Sequence, residues 1–248
     1  MRKTFKFILV LFLLNNMIST NIFSQSEWEY NAAIYGWLAG INGEIGIANQ
    51  EGQFDASLSD LLKNLKFTAG GHFEARNPSV SLITDIFFVG LGNDADIEHT
   101  TISDSTYTKT RTVNLDEWII EGAVGYRITK EFEMILAGRY YSLNTELLIE
   151  DDLKGSEGLS WGDIFVGARY LTRFGDDWYA MARADVGFGG SSLALFGTLG
   201  MGYEFSDLFS LALTYRVLSL DYETGSGVEY FKYSASMHGF GIGAVFSF

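Results

Sequence analysis

Arginine and carboxylate side chains recur at alternate positions along the apolar segments of this chain. In 131–147, Glu131, Glu133 and Arg139 share one parity, and large apolar residues take the other. Because an isolated buried charge is costly, we expect such groups to pair, with guanidinium forks bridging carboxylates of neighbouring strands. Glu29 lies on the same face. The predicted network consists of His72, Glu74, Arg76, Asp85, Glu117, Glu121, Arg127, Glu133, Arg139, Asp163, Arg169, Arg183, Asp185, Glu204 and Arg216.

The three histidines are the natural candidates for a catalytic base. His72 belongs to the charged face, and His99 lies in an acidic run. A lipid-modifying enzyme needs a nucleophile within hydrogen-bond reach of a base, and His238 lies near Ser234 and Ser236 on one strand parity. However, the chain has no Gly-x-Ser-x-Gly elbow, and an interfacial histidine needs no catalytic role. We therefore predict no enzyme, no catalytic residue and no cofactor.

Two further patterns resemble ligand sites. The run 94–99 is rich in carboxylates, but it lacks the glycine and the distal glutamate of a calcium-binding loop. A solvated acidic loop without metal is the better interpretation. The glycines of 239–243 lie inside a strand with no helix after them, so they lack the geometry that cradles phosphates. We expect them to leave room for bulky neighbours.

The elements that must position the charged face are β-strands, because period-two alternation recurs along the chain with turn signals between the segments. The predicted fold is all-β: a transmembrane antiparallel up-and-down β-barrel of about ten strands, with eight or twelve as alternatives. The predicted strands cover 28–40, 65–77, 79–91, 111–129, 131–147, 160–174, 177–189, 191–205, 208–220 and 229–248.

The predicted connections alternate between short turns and long polar links, which is typical of the periplasmic and external ends of an outer-membrane barrel. The first external link also carries a hairpin pattern around 50–52 and then a short amphipathic helix. Ser57 and Asp60 stand at capping-box spacing at the start of that helix. The long links are predicted at 41–64, 92–110, 148–159 and 221–228.

Aromatic residues indicate which face of the strands meets lipid. They fall on the apolar parity, mostly near strand ends, as in the girdles at the two lipid–water interfaces. A soluble lipocalin-like barrel, with its apolar face inward, is the alternative. The residues concerned are Trp28, Tyr30, Trp118, Tyr126, Tyr140, Tyr170, Trp178, Tyr203 and Tyr215.

The first 25 residues have the pattern of a secretory signal peptide, with Arg2, Lys3 and Lys6 before the apolar run 7–14. Removal of 1–25 would leave residues 26–248 as a single barrel domain. The remaining 14 basic and 31 acidic residues carry a formal charge of −17, which argues against a nucleic-acid partner. The chain contains no cysteine, so disulfides and a lipid anchor on cysteine are excluded.

The last nine residues alternate apolar and small side chains and end on Phe248. This ending resembles the C-terminal strand of Gram-negative outer-membrane β-barrels, and the stretches 35–38, 60–65 and 71–76 resemble small members of that group. The resemblance implies a location in the cell outer membrane. It also implies contact with outer-membrane lipids and recognition of Phe248 by the barrel assembly machinery. We expect a monomer.

The number of strands indicates whether the barrel interior can hold an open channel. About eight strands leave an interior that side chains fill, whereas 16-stranded porins hold an aqueous channel. A ten-stranded barrel with a charge-filled lumen is therefore expected to have a structural or surface-interaction role. The alternatives are a narrow cation-preferring diffusion pore and, more remotely, a lipid-modifying enzyme.

Overall fold

The computed structural model describes residues 28–47, 50–56, 65–100, 106–149, 153–227 and 230–248. It describes side chains at 28–44, 46, 68–90, 116–144, 158–227 and 230–248. The predicted signal peptide lies outside the described residues. The strands are β1 (Glu29–Ile47), β2 (Gln50–Ala56), β3 (Leu65–Arg76), β4 (Val80–Thr100), β5 (Thr106–Arg127), β6 (Phe132–Ile149), β7 (Leu153–Phe174), β8 (Trp178–Gly189), β9 (Ser191–Ser206), β10 (Phe209–Thr224) and β11 (Phe231–Ser247).

Ten of these strands close into an antiparallel up-and-down barrel, as the sequence predicted. From β3 to β11 each strand pairs with the next, and β1 lies between β3 and β11. The β1–β11 ladder runs from Asn31 opposite Ser247 to Ile47 opposite Phe231. Beyond it, the backbones of Tyr30 and Phe248 exchange two hydrogen bonds of 2.9 Å. The end of the chain therefore closes the barrel.

Short turns connect the strands at the end of the barrel that carries Glu29 and Phe248, which we call the turn end. In the β3–β4 turn, Asn77 Oδ1 accepts hydrogen bonds from the backbone N–H groups of Ser79 and Val80, both at 2.8 Å. Gly175 has a φ of 66° in the β7–β8 turn, where a side chain would be strained. Short turns mark the periplasmic end of such barrels.

At the opposite end, which we call the hairpin end, several strands are longer than predicted. The links predicted at 92–110 and 148–159 are largely strand, because the β4–β5 ladder continues to Thr100 opposite Thr106 and the β6–β7 ladder to Ile149 opposite Leu153. The acidic run 94–99 therefore lies in β4 and not in a loop. Strands of 18–22 residues exceed the roughly 9–11 that cross a bilayer, so β4–β7 project beyond it.

The eleventh strand, β2, folds back on the extended end of β1 and, among the described strands, pairs with β1 alone. The predicted accessory hairpin forms, but Gln50 already pairs with Ile47, so 50–52 lie in β2 and not in the turn. The β1–β3 ladder ends at Tyr35 opposite Gly70. The helix predicted from Ser57 lies outside the described residues.

The outer surface carries an exposed apolar belt, while charged side chains point into the lumen. Ile34, Leu136 and Leu199, for example, are exposed on three different strands. Tyr126, Tyr140 and most of the other predicted girdle residues are also exposed; Trp28 and Tyr203 are half-buried. No helix among the described residues is long and apolar enough to cross a membrane.

Candidate functional site

The inward side chains of β3, β4, β6 and β7 build the first part of the ionic network near the turn end. Arg169 donates from both Nη atoms to the two oxygens of Glu74, at 2.8 and 2.5 Å. Its Nε lies 2.6 Å from Glu133 Oε1. Glu133 also accepts a 3.0 Å hydrogen bond from Ser81. One guanidinium fork thus joins carboxylates from two strands that are not neighbours, β3 and β6.

A second group lies deeper and joins β5, β6 and β8. Glu121 accepts hydrogen bonds from Arg139 Nε at 3.0 Å and from Arg139 Nη2. It also accepts from Arg183 Nη1 at 2.7 Å, and Arg183 Nε donates to Asp185 at 2.7 Å. Two arginines therefore share one buried carboxylate through charge-assisted hydrogen bonds, although Arg139 Nη1 has no hydrogen-bond partner among the described residues.

The third group surrounds Asp85 on β4. The Tyr35 hydroxyl donates to Asp85 Oδ1 at 2.5 Å, and His72 Nδ1 lies 3.1 Å from Asp85 Oδ2. Arg216, on the far side of the lumen, places Nη2 3.9 Å from Asp85 Oδ1. Its guanidinium instead stacks against aromatic rings, including Tyr35 at 4.9 Å and Trp37 at 5.2 Å.

Five residues of the predicted set lie outside these groups. Arg76 pairs with Glu29 at 2.7 Å, and Glu204 pairs with Arg173 at the turn end. Two of the other three bond to backbone groups. Arg127 donates to the backbone carbonyls of Asn77 and Lys130, and Asp163 accepts from the Ser191 N–H at 2.8 Å. Glu117 is 1% exposed, and neither carboxylate oxygen has a hydrogen-bond partner among the described residues.

Sequence reasoning expected bridges between neighbouring strands, and it missed the bridges that cross the lumen. Arg139–Glu121 and Arg169–Glu133 join residues directly opposite each other on paired strands. Arg169–Glu74 and Arg183–Glu121 join strands that are not neighbours. Such contacts depend on the lumen diameter, which parity alone does not specify.

An inward cluster of aromatic side chains at the hairpin half of the lumen was also missed. Trp161 stacks on Tyr141 with ring centroids 5.1 Å apart and on Tyr222 at 4.3 Å, and meets the Tyr233 ring edge-on at 6.3 Å. Tyr141 and Phe165 have no exposed surface. We call this cluster the aromatic plug; it consists of Trp37, Phe87, Tyr141, Trp161, Phe165, Phe196, Tyr222 and Tyr233.

The plug had a sequence signal. Tyr141 follows Arg139 by two residues, and Trp161 and Phe165 flank Asp163 at the same spacing. Parity therefore places these rings on the charged, inward face. The plug meets the ionic network where Arg139 lies over Phe165, 4.0 Å from the ring centroid, and over Phe196 at 4.7 Å.

Between the network and the turn end lies a cavity of about 710 Å³. Its inner end is formed by Tyr35, Arg183, Phe196 and Arg216, and its mouth lies near Glu29, Leu208 and Phe248. The lumen is therefore divided along its length into an open compartment, lined by charged and apolar side chains, and a packed aromatic one.

The arrangement that a lipid hydrolase would need is not formed around His238. His238 faces outward and is exposed, as predicted from its parity. Ser234 donates its hydroxyl proton to Asp221 on β10, and His238 makes no hydrogen bond to Ser234 or Ser236 among the described residues. Within the same residues, no group of three His, Cys, Asp or Glu side chains is placed to hold a metal ion.

Comparison of the fold with solved structures decides the class. The chain is similar to the outer-membrane protease OmpT from Escherichia coli, with a TM-score of 0.56 and 9% identity over 93% of this chain and 99% of that one. The fold is an outer-membrane β-barrel. With its apolar belt, this barrel is located in the outer membrane. At 9% identity the likeness concerns the fold alone.

Two further structures are similar over most of their length. Ail of Yersinia pestis, the attachment invasion locus protein, has a TM-score of 0.41 and 7% identity over 90% of this chain and 99% of its own. The translocator domain of the autotransporter NalP from Neisseria meningitidis has a TM-score of 0.38 and 14% identity, over 98% and 95%. No protein-family model and no curated protein matches the sequence of this barrel.

Proposed function

We propose that this outer-membrane barrel does not conduct solutes and acts through its surface at the hairpin end. The observation that carries the proposal is the aromatic plug. Tyr141 and Phe165 have no exposed area and Tyr233 is 1% exposed, although all three point into the lumen. A side chain without solvent contact cannot line an aqueous path. The plug therefore supports a closed lumen and opposes the narrow cation-preferring pore.

The hairpin end supplies a surface for interaction. Strands β4–β7 continue as a paired sheet beyond the length that a bilayer requires. Their projecting segments include Asp94, Asp96 and Glu98 in β4. An acidic sheet that projects beyond the bilayer is suited to contacts outside the membrane. It contributes nothing to the closed ladder of strands within the membrane.

Planar-bilayer recording of the refolded barrel tests the closed lumen. We expect the native protein to insert without conductance steps. A matched variant that carries both Trp161→Gly and Tyr233→Gly is expected to produce steps, because it removes two rings in edge-on contact from the plug. Discrete cation-selective steps from the native protein would overturn the proposal and establish the pore.

Shortening the β4–β5 hairpin tests whether its projecting part is needed for surface interactions or for assembly of the barrel. Gly92 pairs with Asn114, so replacement of 93–113 by Asn-Gly joins the two strands through a two-residue turn. We expect the shortened barrel to keep its heat-modifiable migration on gels and its outer-membrane location. Loss of assembly would mean that the hairpin is structural, and would contradict an exterior role.

A further inference from the structure

The cavity at the turn end exists because one wall of the lumen is built from small residues. Ala212 of β10 and Gly243 of β11 are small inward residues that line the cavity, whereas the facing wall carries Glu74 and Arg169. On β9 the space over Gly202, where a Cβ would fall 2.1 Å from Tyr179, is filled by the Tyr179 ring, which itself lines the cavity. The space is thus a built feature with one small, largely apolar wall and one charged wall.

Arg216 at the inner end of this cavity differs from the other buried arginines. Arg139, Arg169 and Arg183 each make at least two charge-assisted contacts of 3.1 Å or less with carboxylates. For Arg216, no carboxylate among the described residues comes closer than Asp85, at 3.9 Å, which is too long for a hydrogen bond. Asp85 is already bonded to Tyr35 and His72.

The surroundings of Arg216 hold its guanidinium in place through aromatic rings and the Tyr35 hydroxyl, without a carboxylate at hydrogen-bond distance. Tyr35, Trp37 and Phe196 place their ring centroids within 5.4 Å of its Cζ. Its side chain is 16% exposed and contributes to the cavity lining. A fixed, cavity-facing guanidinium is a receptor for a planar anion, because its N–H fork matches a carboxylate.

We propose that the cavity binds a monocarboxylate with an apolar body. Its carboxylate accepts hydrogen bonds from Arg216 at the inner end of the cavity, and its body lies along Ala33, Met181 and Ala212. The charge of Asp85 beside Arg216 disfavours dianions and limits the ligand to one negative charge. The mouth of the cavity at the turn end gives the ligand access from the periplasm. The binding site is distinct from the surface role proposed above.

Calorimetric titration of the refolded full barrel in lipid nanodiscs tests this proposal with two matched probes, hexanoate and hexanamide. We expect hexanoate to bind and hexanamide, which has the same body and no charge, to bind at least about tenfold more weakly. Arg216→Gln is expected to weaken hexanoate binding by about tenfold or more. Arg127→Gln, at the turn end but outside the cavity lining, should leave binding unchanged.

Equal binding of the two probes, or unchanged binding by Arg216→Gln, would overturn the proposal. A second variant covers the case in which Arg216→Gln fails to fold. Ala212→Phe keeps the guanidinium and fills the cavity beside it, so it should abolish hexanoate binding in a barrel that still shows heat-modifiable migration. Hexanoate binding that survives Ala212→Phe would place the ligand elsewhere and equally contradict the proposed site.

Discussion

The two halves of the lumen are lined by inward residues of the same strands, yet one half is charged and the other is aromatic. Towards the turn end, arginines and carboxylates bond across the interior beside a cavity. Towards the hairpin end, the next inward residues are aromatic rings that exclude solvent. Along β6 the change occurs within two residues, from Arg139 to Tyr141. The polarity of the lumen therefore changes along single strands of this barrel.

A buried carboxylate should therefore stabilise the barrel in the turn-end half of the lumen and destabilise it in the hairpin-end half. Glu121→Met is the change with the largest expected effect, since it leaves Arg139 and Arg183 buried without their shared acceptor. Breaking a buried pair in this way costs about 3–5 kcal/mol. Denaturant unfolding in lipid vesicles, followed by tryptophan fluorescence, measures the loss. A change below about 1 kcal/mol would mean that the network does not stabilise the barrel.

The plug is expected to resist added volume. A Cβ on Gly187 would lie 2.4 Å from the ring of Phe165, which has no exposed surface and no room to move. Gly187→Ala should cost about 1–3 kcal/mol by overpacking. Gly122→Ala is the matched control, because an added Cβ there meets nothing within 4 Å and faces lipid. Equal stabilities of the two variants would show that the plug is loosely packed.

Glu117, like Glu121, is a buried carboxylate of β5, but it lies in the aromatic half of the lumen. Its carboxylate is buried without a hydrogen-bond partner among the described residues, so it carries a desolvation cost without a compensating bond. Glu117→Met keeps the volume and removes the polar atoms, and we expect it to raise the free energy of unfolding by about 1–3 kcal/mol. A destabilised variant would reveal that Glu117 is bonded in the membrane, for instance to a buried water.

Alternation and turn signals predicted the barrel well because both are local. The parity of Glu133 and Arg139 put both on one face of their strand, and both side chains are buried. The ten strands followed from the turns. The hairpin-end strands were predicted too short, because polar residues such as Asp94 and Asp96 lack apolar alternation outside the membrane. The cross-lumen pair of Glu74 with Arg169 was not predictable, since it depends on how closely β3 approaches β7.

The smallest effect is expected at the rim of the barrel at the turn end, where an arginine–carboxylate pair is exposed to water. Arg173 pairs with Glu204 at the mouth of the cavity, but the Arg173 side chain is 61% exposed. Such a pair contributes at most about 1 kcal/mol and is screened by salt. Glu204→Gln should therefore lower the free energy of unfolding by less than about 1 kcal/mol, and less still in high salt. A loss comparable to that of Glu121→Met would mean that exposure does not distinguish the rim from the buried network.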